Sequence, residues 1–426
     1  MERIIMNTVD TVVIGAGHAG LATSRLLTDA GRDHVVLDRG RVGERWRTER
    51  WDSLRLLTPN WMNRLPSWHH DSSDPDGFMS VGAFVRYLER YANSFGSPVV
   101  GGTTVHELSY EPSRGYRVAT DVGTWRARHV VIATGPHGVP RVPAGLDTAA
   151  VLTANQYRTP AGLRPGGVLV IGASSSGVQI ADELNRAGRD VLLSAGRHTR
   201  MPRSYRGMDI FWWLQVTGRQ ARTIDEVPDR SAARREPSMQ LVGHGPDHHG
   251  PDLDLATLQA RGVRLLGRFD GMDGTRAQFR PDLAENVAAS DKRMHRLLDA
   301  VDDYVTRTGL TDEVSPAIRP RRLDVPAPTG LVNLSRERIG TVVVAAGYRP
   351  DYPWLRLPIT DPDGTIRQYQ GVTPAPGVYV VGQRFQHRRD SGVIDGARHD
   401  ARTVVQHLLT GSGSIASREH TEEPAA

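Results

Sequence analysis

An α/β fold is predicted for this 426-residue chain by three observations. A strand, glycine turn, helix, strand unit opens it, and a second copy of that unit starts at Val168. Three further β-branched runs end in short loops of small residues. Together they read as two Rossmann-like dinucleotide-binding domains, the second inserted in the first.

Each element follows from local pattern. Thr11-Val12-Val13-Ile14 is a β-branched run ahead of the turn Gly15-Ala16-Gly17-His18-Ala19-Gly20. A helix is predicted over Ala22 to Asp29, and a second strand, His34-Val35-Val36-Leu37, ends at Asp38. The second unit runs from Val168-Leu169-Val170-Ile171 through Gly172-Ala173-Ser174-Ser175-Ser176-Gly177. Its helix spans Val178 to Arg186, and its second strand Asp190 to Ser194. His129 to Ile132 leads into Ala133-Thr134-Gly135, Thr341 to Val344 into Ala345-Ala346-Gly347, and Val378 to Val381 into Gly382. Between about 198 and 330 the pattern loosens. There Val287, Met294, Leu297, Leu298, Val301, Tyr304 and Val305 share one helical face, which reads as core packing. Residues 201–222, with Phe211, Trp212 and Trp213, read as a packed helix or as a substrate wall, with packing favoured. The Gly/Ser then Glu/Pro/Ala stretch from Gly411 reads as a disordered tail. The expected domain bounds are 1–158, 159–330, 331–410 and a tail at 411–426.

Composition narrows the function. The chain has no cysteine, which excludes disulfides, thiolate metal sites, cysteine nucleophiles and dithiol relays. No apolar run of about 18 residues exists for a membrane span. Met1 to Gly20 lacks the regions of a signal peptide, so a soluble cytoplasmic protein is expected. The net charge of +5 comes from 53 basic residues scattered among 48 acidic ones, and Lys292 is the only lysine. With no basic block, nucleic acid is not an expected partner, and no metal site is predicted.

The two glycine turns carry the chemistry. In the first, Gly15 makes the tight turn, Gly17 admits a pyrophosphate, and Gly20 lets the helix pack close to the strand. The helix N-terminus then faces the phosphates with unpaired N–H groups. Asp38, at a strand end 18 residues after Gly20, suits a ribose hydroxyl. In the second, Ser174 replaces the middle glycine while Gly172 and Gly177 remain, and Ser174, Ser175 and Ser176 offer hydroxyl donors. Matching Asp38 to Ser194, with Arg197, His198, Arg200 and Arg203 beyond, predicts a site that accepts a 2′-phosphate, as in NADPH.

Two such sites in this order resemble the two-dinucleotide-binding flavoproteins. Within them, the chain resembles the bacterial flavin-containing branch of the class B flavin-dependent monooxygenases over about residues 8 to 410. The segments that carry the likeness are Val42-Gly43-Glu44-Arg45-Trp46-Arg47, Arg50-Trp51-Asp52-Ser53-Leu54 continuing to Thr58-Pro59, Gly177-Val178-Gln179-Ile180-Ala181 and Tyr205-Arg206-Gly207-Met208-Asp209. Ala346-Gly347-Tyr348-Arg349-Pro350-Asp351, Pro376 to Gly382, Ser391-Gly392 and Arg398-His399-Asp400-Ala401 complete it.

The resemblance implies FAD on the first site and NADPH on the second, the NADPH domain lying within the FAD domain. It implies FAD contacts from Gly15, Gly17, His18, Ala19, Gly20, Asp38, Arg39, Trp46, Thr58, Val105, Ala133, Thr134, Gly135 and Gly382. For NADPH it adds Ala346 and Gly347. The activity implied is oxygenation of a small molecule with O2 through a flavin C4a-hydroperoxide. Thr153 stands where Baeyer–Villiger members carry a signature histidine, which favours transfer to nitrogen or sulfur. N-oxygenating relatives carry a flavin-proximal asparagine near Thr58-Pro59; Leu57 stands at that position, with Asn60 three residues on. Arg389 is a candidate cation for a peroxyanion. Baeyer–Villiger oxygenation, and an NADPH oxidase or flavin reductase without oxygen transfer, remain alternatives, as does a nucleotide-sensing binding protein without turnover.

Overall fold

The computed structural model describes residues 6–71, 73–146, 150–236, 239–240 and 253–411, so the expected tail beyond Gly411 lies outside the described residues. Two open sheets organise the chain. The first has seven strands, in the spatial order Val99–Val100, His34–Leu37, Met6–Ile14, Gly123–Ile132, Gly115–Thr120 and Val105–Glu111, with Val378–Val380 also paired to Gly123–Ile132. Its nucleotide-binding half is parallel, while 105–132 forms an antiparallel meander. The second sheet is wholly parallel, in the order Val151–Thr153, Ile339–Val344, Gly167–Ile171, Val191–Ser194 and Arg264–Leu266.

The central strands of both sheets read as continuous apolar runs because helices cover them. Val12, Val13, Val130 and Val131 are fully buried in one, and Val168, Leu169, Val170 and Val343 in the other. The helix predicted from the apolar stripe spans Leu283–Thr308, and Val287, Met294, Leu297, Leu298, Val301 and Val305 are its buried face.

The internal repeat extends further than the glycine turns. Gly15 N–H donates to Leu37 O at 2.7 Å and Ala133 N–H to Ile14 O at 2.8 Å. In the second unit Gly172 N–H donates to Ser194 O at 2.9 Å and Ala345 N–H to Ile171 O at 2.8 Å. The strands ending in the small-residue loops are therefore equivalent, one in each sheet. This corrects two domain assignments. Val151–Thr153 and Ile339–Val344 fall outside the expected 159–330 domain, yet both pair in the second sheet. Three residues are too few to show a period, and the run at 341 is so similar to that at 129 that local pattern does not assign them to different sheets.

The chain crosses between the sheets twice, and the crossings run side by side. Val139–Pro140, just past the first sheet, pairs antiparallel with Tyr348–Arg349, just past the second. A buried cation ties the halves elsewhere: Arg203 donates to Leu57 O at 2.6 Å and to the Asp209 carboxylate, with its guanidinium 4.3 Å from the Phe78 ring centroid.

Each crossover helix approaches its strand as closely as atoms allow. A Cβ on Gly20 would stand 1.8 Å from Gly15 O, and one on Gly177 1.7 Å from Gly172 O. Gly20→Ala and Gly177→Ala are therefore expected to destabilise the fold by at least about 1–3 kcal/mol. A Cβ on Gly17 meets nothing within 4 Å, so Gly17→Ala should melt like the parent. Thermal denaturation of the three variants checks the contrast; equal melting temperatures would remove the close-packing argument.

Candidate functional site

The first cradle forms where the strand Met6–Ile14 meets the helix His18–Asp29. Gly17 caps that helix at φ −81° and ψ −178° with no side chain on its first N–H groups, which leaves the donors open. Gly382, at φ +76°, lies so close that a Cβ on it would be 2.9 Å from Ala19 Cβ. Gly135, at φ +75°, borders open space, and Thr134 beside it is half-buried. The structure thus brings Gly15, Gly17, His18, Ala19, Gly20, Ala133, Thr134, Gly135 and Gly382 to one end of the first sheet. Burial pushes the His18 imidazole down to about 4, so it is neutral at pH 7.

Asp38 is the clasp of this cradle. Its Oδ2 accepts from Ala16 N–H at 2.7 Å and its Oδ1 from Gly40 N–H at 2.9 Å. Each oxygen keeps a lone pair for a ribose hydroxyl. Arg39 is exposed and paired with Glu49 at 2.6 Å. Trp46 packs edge-on against Phe84, centroids 4.8 Å apart, and Arg50 lies 5.0 Å from its ring centroid. The Thr58 hydroxyl donates to Asn63 Oδ1 at 2.7 Å, so its proton is committed inside the protein. Val105 is half-buried at the start of its strand.

The second cradle copies the first in backbone. Ser174 caps the helix Ser175–Arg186 at φ −84° and ψ −171°, within a few degrees of Gly17. Its hydroxyl makes no capping bond, and the three serines are half-buried with hydroxyls unbonded among the described residues. Ala346 and Gly347 are exposed beside it, Gly347 at φ +87°.

Beyond the serines the sequence reading needs three corrections. Strand register pairs Ile14 with Leu37 and Ile171 with Ser194, so the residue equivalent to Asp38 is Ala195, not Ser194. A one-residue shift turns a side chain to the other face. Ser194 accordingly points inward, where its hydroxyl donates to Gly267 O and accepts from Phe269 N–H, both at 2.9 Å. Arg200 is the second correction. It is buried, bonded to Asp254 at 2.6 Å and to Asp291 at 2.8 Å. His198 is buried too, its Nδ1 donating to Gly196 O at 2.9 Å, and burial holds its imidazole below the usual range. Of the proposed 2′-phosphate group only Arg197 is exposed. The third concerns Arg389, which pairs with Glu236 at 2.9 Å and is not a free cation.

Asn60 is 7% exposed; its Nδ2 donates to Asp74 O at 2.9 Å, and its Oδ1 is buried without a hydrogen bond. For residues 201–222 the packed alternative holds, since Phe211 and Trp213 are buried in a cluster with Met62, Met201 and Met294. Sequence reasoning missed a group of cations where the two small-residue loops approach. His137 packs edge-on against Tyr348 at 4.9 Å, and Arg45 donates to Gly138 O at 3.4 Å. Burial, with Arg50, Arg45 and Arg384 nearby, pushes the His137 imidazole down to about 3. These residues come from four separate segments, and no local pattern links them.

Comparison with known proteins adds the chemistry. Residues 12–210 match the family model described as pyridine nucleotide-disulphide oxidoreductase. The chain is 28% identical to an uncharacterized CzcO-like oxidoreductase of Geobacillus kaustophilus, over 95% of this chain and 99% of that one. It is 25% identical to an indole-3-pyruvate monooxygenase of Oryza sativa subsp. japonica, over 95% and 89%. Among solved structures, a flavin-containing monooxygenase from Stenotrophomonas maltophilia superposes with a TM-score of 0.64 at 20% identity, covering 95% and 99%. The chain thus shares its fold with flavin-containing monooxygenases and is similar over nearly its whole length to oxidoreductases and to an indole-3-pyruvate monooxygenase. A disulfide reductase works through a cysteine pair, and this chain has no cysteine.

The Arg200 correction is testable. Removing one partner of a buried ion pair leaves the other charge uncompensated, so Arg200→Ala should cost about 3–5 kcal/mol in stability. Urea denaturation of the variant measures this; a loss below 1 kcal/mol, as for a surface arginine, would return Arg200 to the candidate phosphate contacts.

Proposed function

We propose that this protein is a class B, single-component flavin-dependent monooxygenase that holds FAD on the first cradle and NADPH on the second. It transfers one atom of O2 to nitrogen or sulfur of a small molecule. The observation that carries the cofactor assignment is the open space at Gly17. A Cβ on either other glycine of that turn would strike backbone, while one on Gly17 would meet nothing within 4 Å. That is the shape of a seat for a pyrophosphate.

Bound FAD supplies O2 activation and oxygen transfer, and bound NADPH supplies the hydride. The chain's own residues position and shield. The first-turn N–H groups of the helices His18–Asp29 and Ser175–Arg186 hold the phosphates. Asp38 holds the turn and an adenosine ribose, and the serines at 174–176 donate to the second pyrophosphate. Neutral His18 adds no charge at the first helix terminus. Buried Arg203, joining Leu57 O to Asp209 across the two halves, keeps water from that side of the cleft.

Two features favour nitrogen or sulfur over a ketone. The charge of Arg389 is matched by Glu236, so it is not available to steady a peroxyanion. Thr153 has no charge to offer, and its hydroxyl lies 2.5 Å from Asn155 Oδ1 and 2.8 Å from Gln156 Oε1. The domain bounds that go with this reading place the described residues of 151–344 with NADPH and the other described residues with FAD.

Purified protein should be yellow with releasable FAD. Gly17→Val should keep the fold and lose the flavin, because the branched side chain fills the seat. Flavin absorbance per mole of folded protein decides this, and stoichiometric FAD in the variant overturns the assignment. With NADPH and 18O2, a panel of amines, sulfides and cyclic ketones should yield labelled N- or S-oxides and unchanged ketones. Efficient lactone formation would overturn the preference, and NADPH consumption with peroxide alone would favour the oxidase.

A further inference from the structure

The chain carries cations out of the first cradle on each side. The strands Gly123–Ile132 and Val378–Val380 lead to Gly135 and Gly382. His137 stands two residues past the one glycine, and Arg384 two residues past the other. Arg50 comes from a third segment and lies 5.0 Å from the Trp46 ring centroid. His137 packs edge-on against Tyr348 of the opposite loop at 4.9 Å. The three meet: the charges of Arg50, Arg45 and Arg384 all act on the His137 imidazole, and all in the same direction.

Their surroundings are those of a cleft. Burial holds both His137 and Arg384 below their ordinary ranges, yet both side chains are exposed to water. Protein walls them on several sides and leaves one side open. Counter-ions are missing there. Glu49 is shared by Arg39 and Arg45, at 2.6 and 2.9 Å. The Glu236 carboxylate pairs with Arg389 at 2.9 Å, and Arg384 reaches only its backbone oxygen. Arg50 donates to Glu49 O at 2.7 Å, a carbonyl and not the carboxylate. Among the described residues neither Arg50 nor Arg384 pairs with a carboxylate. A guanidinium partly withdrawn from water gains most from an anion, and here the anion has to come from outside the chain.

We propose that Arg50, Arg384 and His137 seat a carboxylate of the substrate, so that the molecule oxygenated is a small organic acid with a nitrogen or sulfur centre. The proposal rests on FAD in the first cradle and names the substrate class. The cofactor phosphates have donors of their own, the first-turn N–H groups that follow Gly17 and Ser174. A carboxylate is planar, and each guanidinium offers it a matching fork of N–H groups. His137, neutral at pH 7, adds an N–H without adding charge. The overall reaction is unchanged by the seat. One atom of O2 goes to nitrogen or sulfur, and the other leaves as water with the hydride of NADPH and one proton. A seated acid also matches the cations, which leaves no free charge beside the cradle to steady a peroxyanion.

Titration of the flavin-loaded protein without NADPH, followed by calorimetry and flavin absorbance, tests the seat without turnover. The probes are (phenylthio)acetate and phenylacetate, each compared with its neutral amide. In wild type at least one acid should bind about tenfold or more tighter than its amide. Arg384→Gln and Arg50→Gln should each cost that acid about tenfold, and the double change should erase its advantage. FAD content and NADP+ affinity should stay within about twofold. Arg384 is exposed, so its variant should fold and carry the test even where loss of the Arg50 contact with Trp46 unfolds the chain. Loss of FAD or NADP+ binding in Arg384→Gln would make these cations cofactor contacts and overturn the seat. Acids that bind no better than their amides in a flavin-loaded wild type overturn it as well, and leave the proposed function standing. A wild type that takes up no FAD removes that function and the seat together.

Discussion

Everything in this molecule depends on one contact made twice, a helix glycine pressed against the carbonyl oxygen of the turn before it. Gly20 on Gly15 and Gly177 on Gly172 leave no room for a methyl group. The contact draws each helix terminus down onto the end of its strand, so the free N–H groups of the first turn converge where the strand stops. It also sets the turn residues Gly15 and Gly172 at φ +113° and +108°, where glycine is favoured. A binding cradle follows from packing alone, before any side chain contributes.

Side chains then differentiate the two copies. In the first, Asp38 reaches back to the turn and presents acid to the ligand side. In the second, Ala195 stands there instead, and serines replace Gly17, His18 and the residue beside it. The copies share backbone to within a few degrees at the helix cap, so the difference between their ligands is chemical.

The sequence made the repeated architecture legible, because strands, glycine turns and helices are local patterns. Both second strands and the long amphipathic helix lie within a few residues of where their patterns place them. What it hid was decided by distant partners. Matching the strand ends aligns Ser194 with Asp38, whereas the hydrogen-bond register, like the count from each glycine turn, aligns it with Leu37. Arg200 and Arg389 read as available cations because their acids lie 54, 91 and 153 residues away. An arginine's charge is visible in a sequence; whether it is already spent is a fact of tertiary structure.

The side-by-side crossings at 139–140 and 348–349 have a consequence for engineering. Opposed residues of an antiparallel pair sit about 5 Å apart, close enough for a tight turn to join them. The intervening lobe leaves and rejoins the rest of the chain through one narrow stalk, and the strand Val378–Val380 completes the first sheet only after the chain has come back. Topologically the lobe is a cassette. Two adjacent cuts there release it without changing the strand order of the remaining sheet, but an exchanged lobe has to match the contacts back to the other half, such as Arg203 to Leu57 O and Glu236 to Arg389.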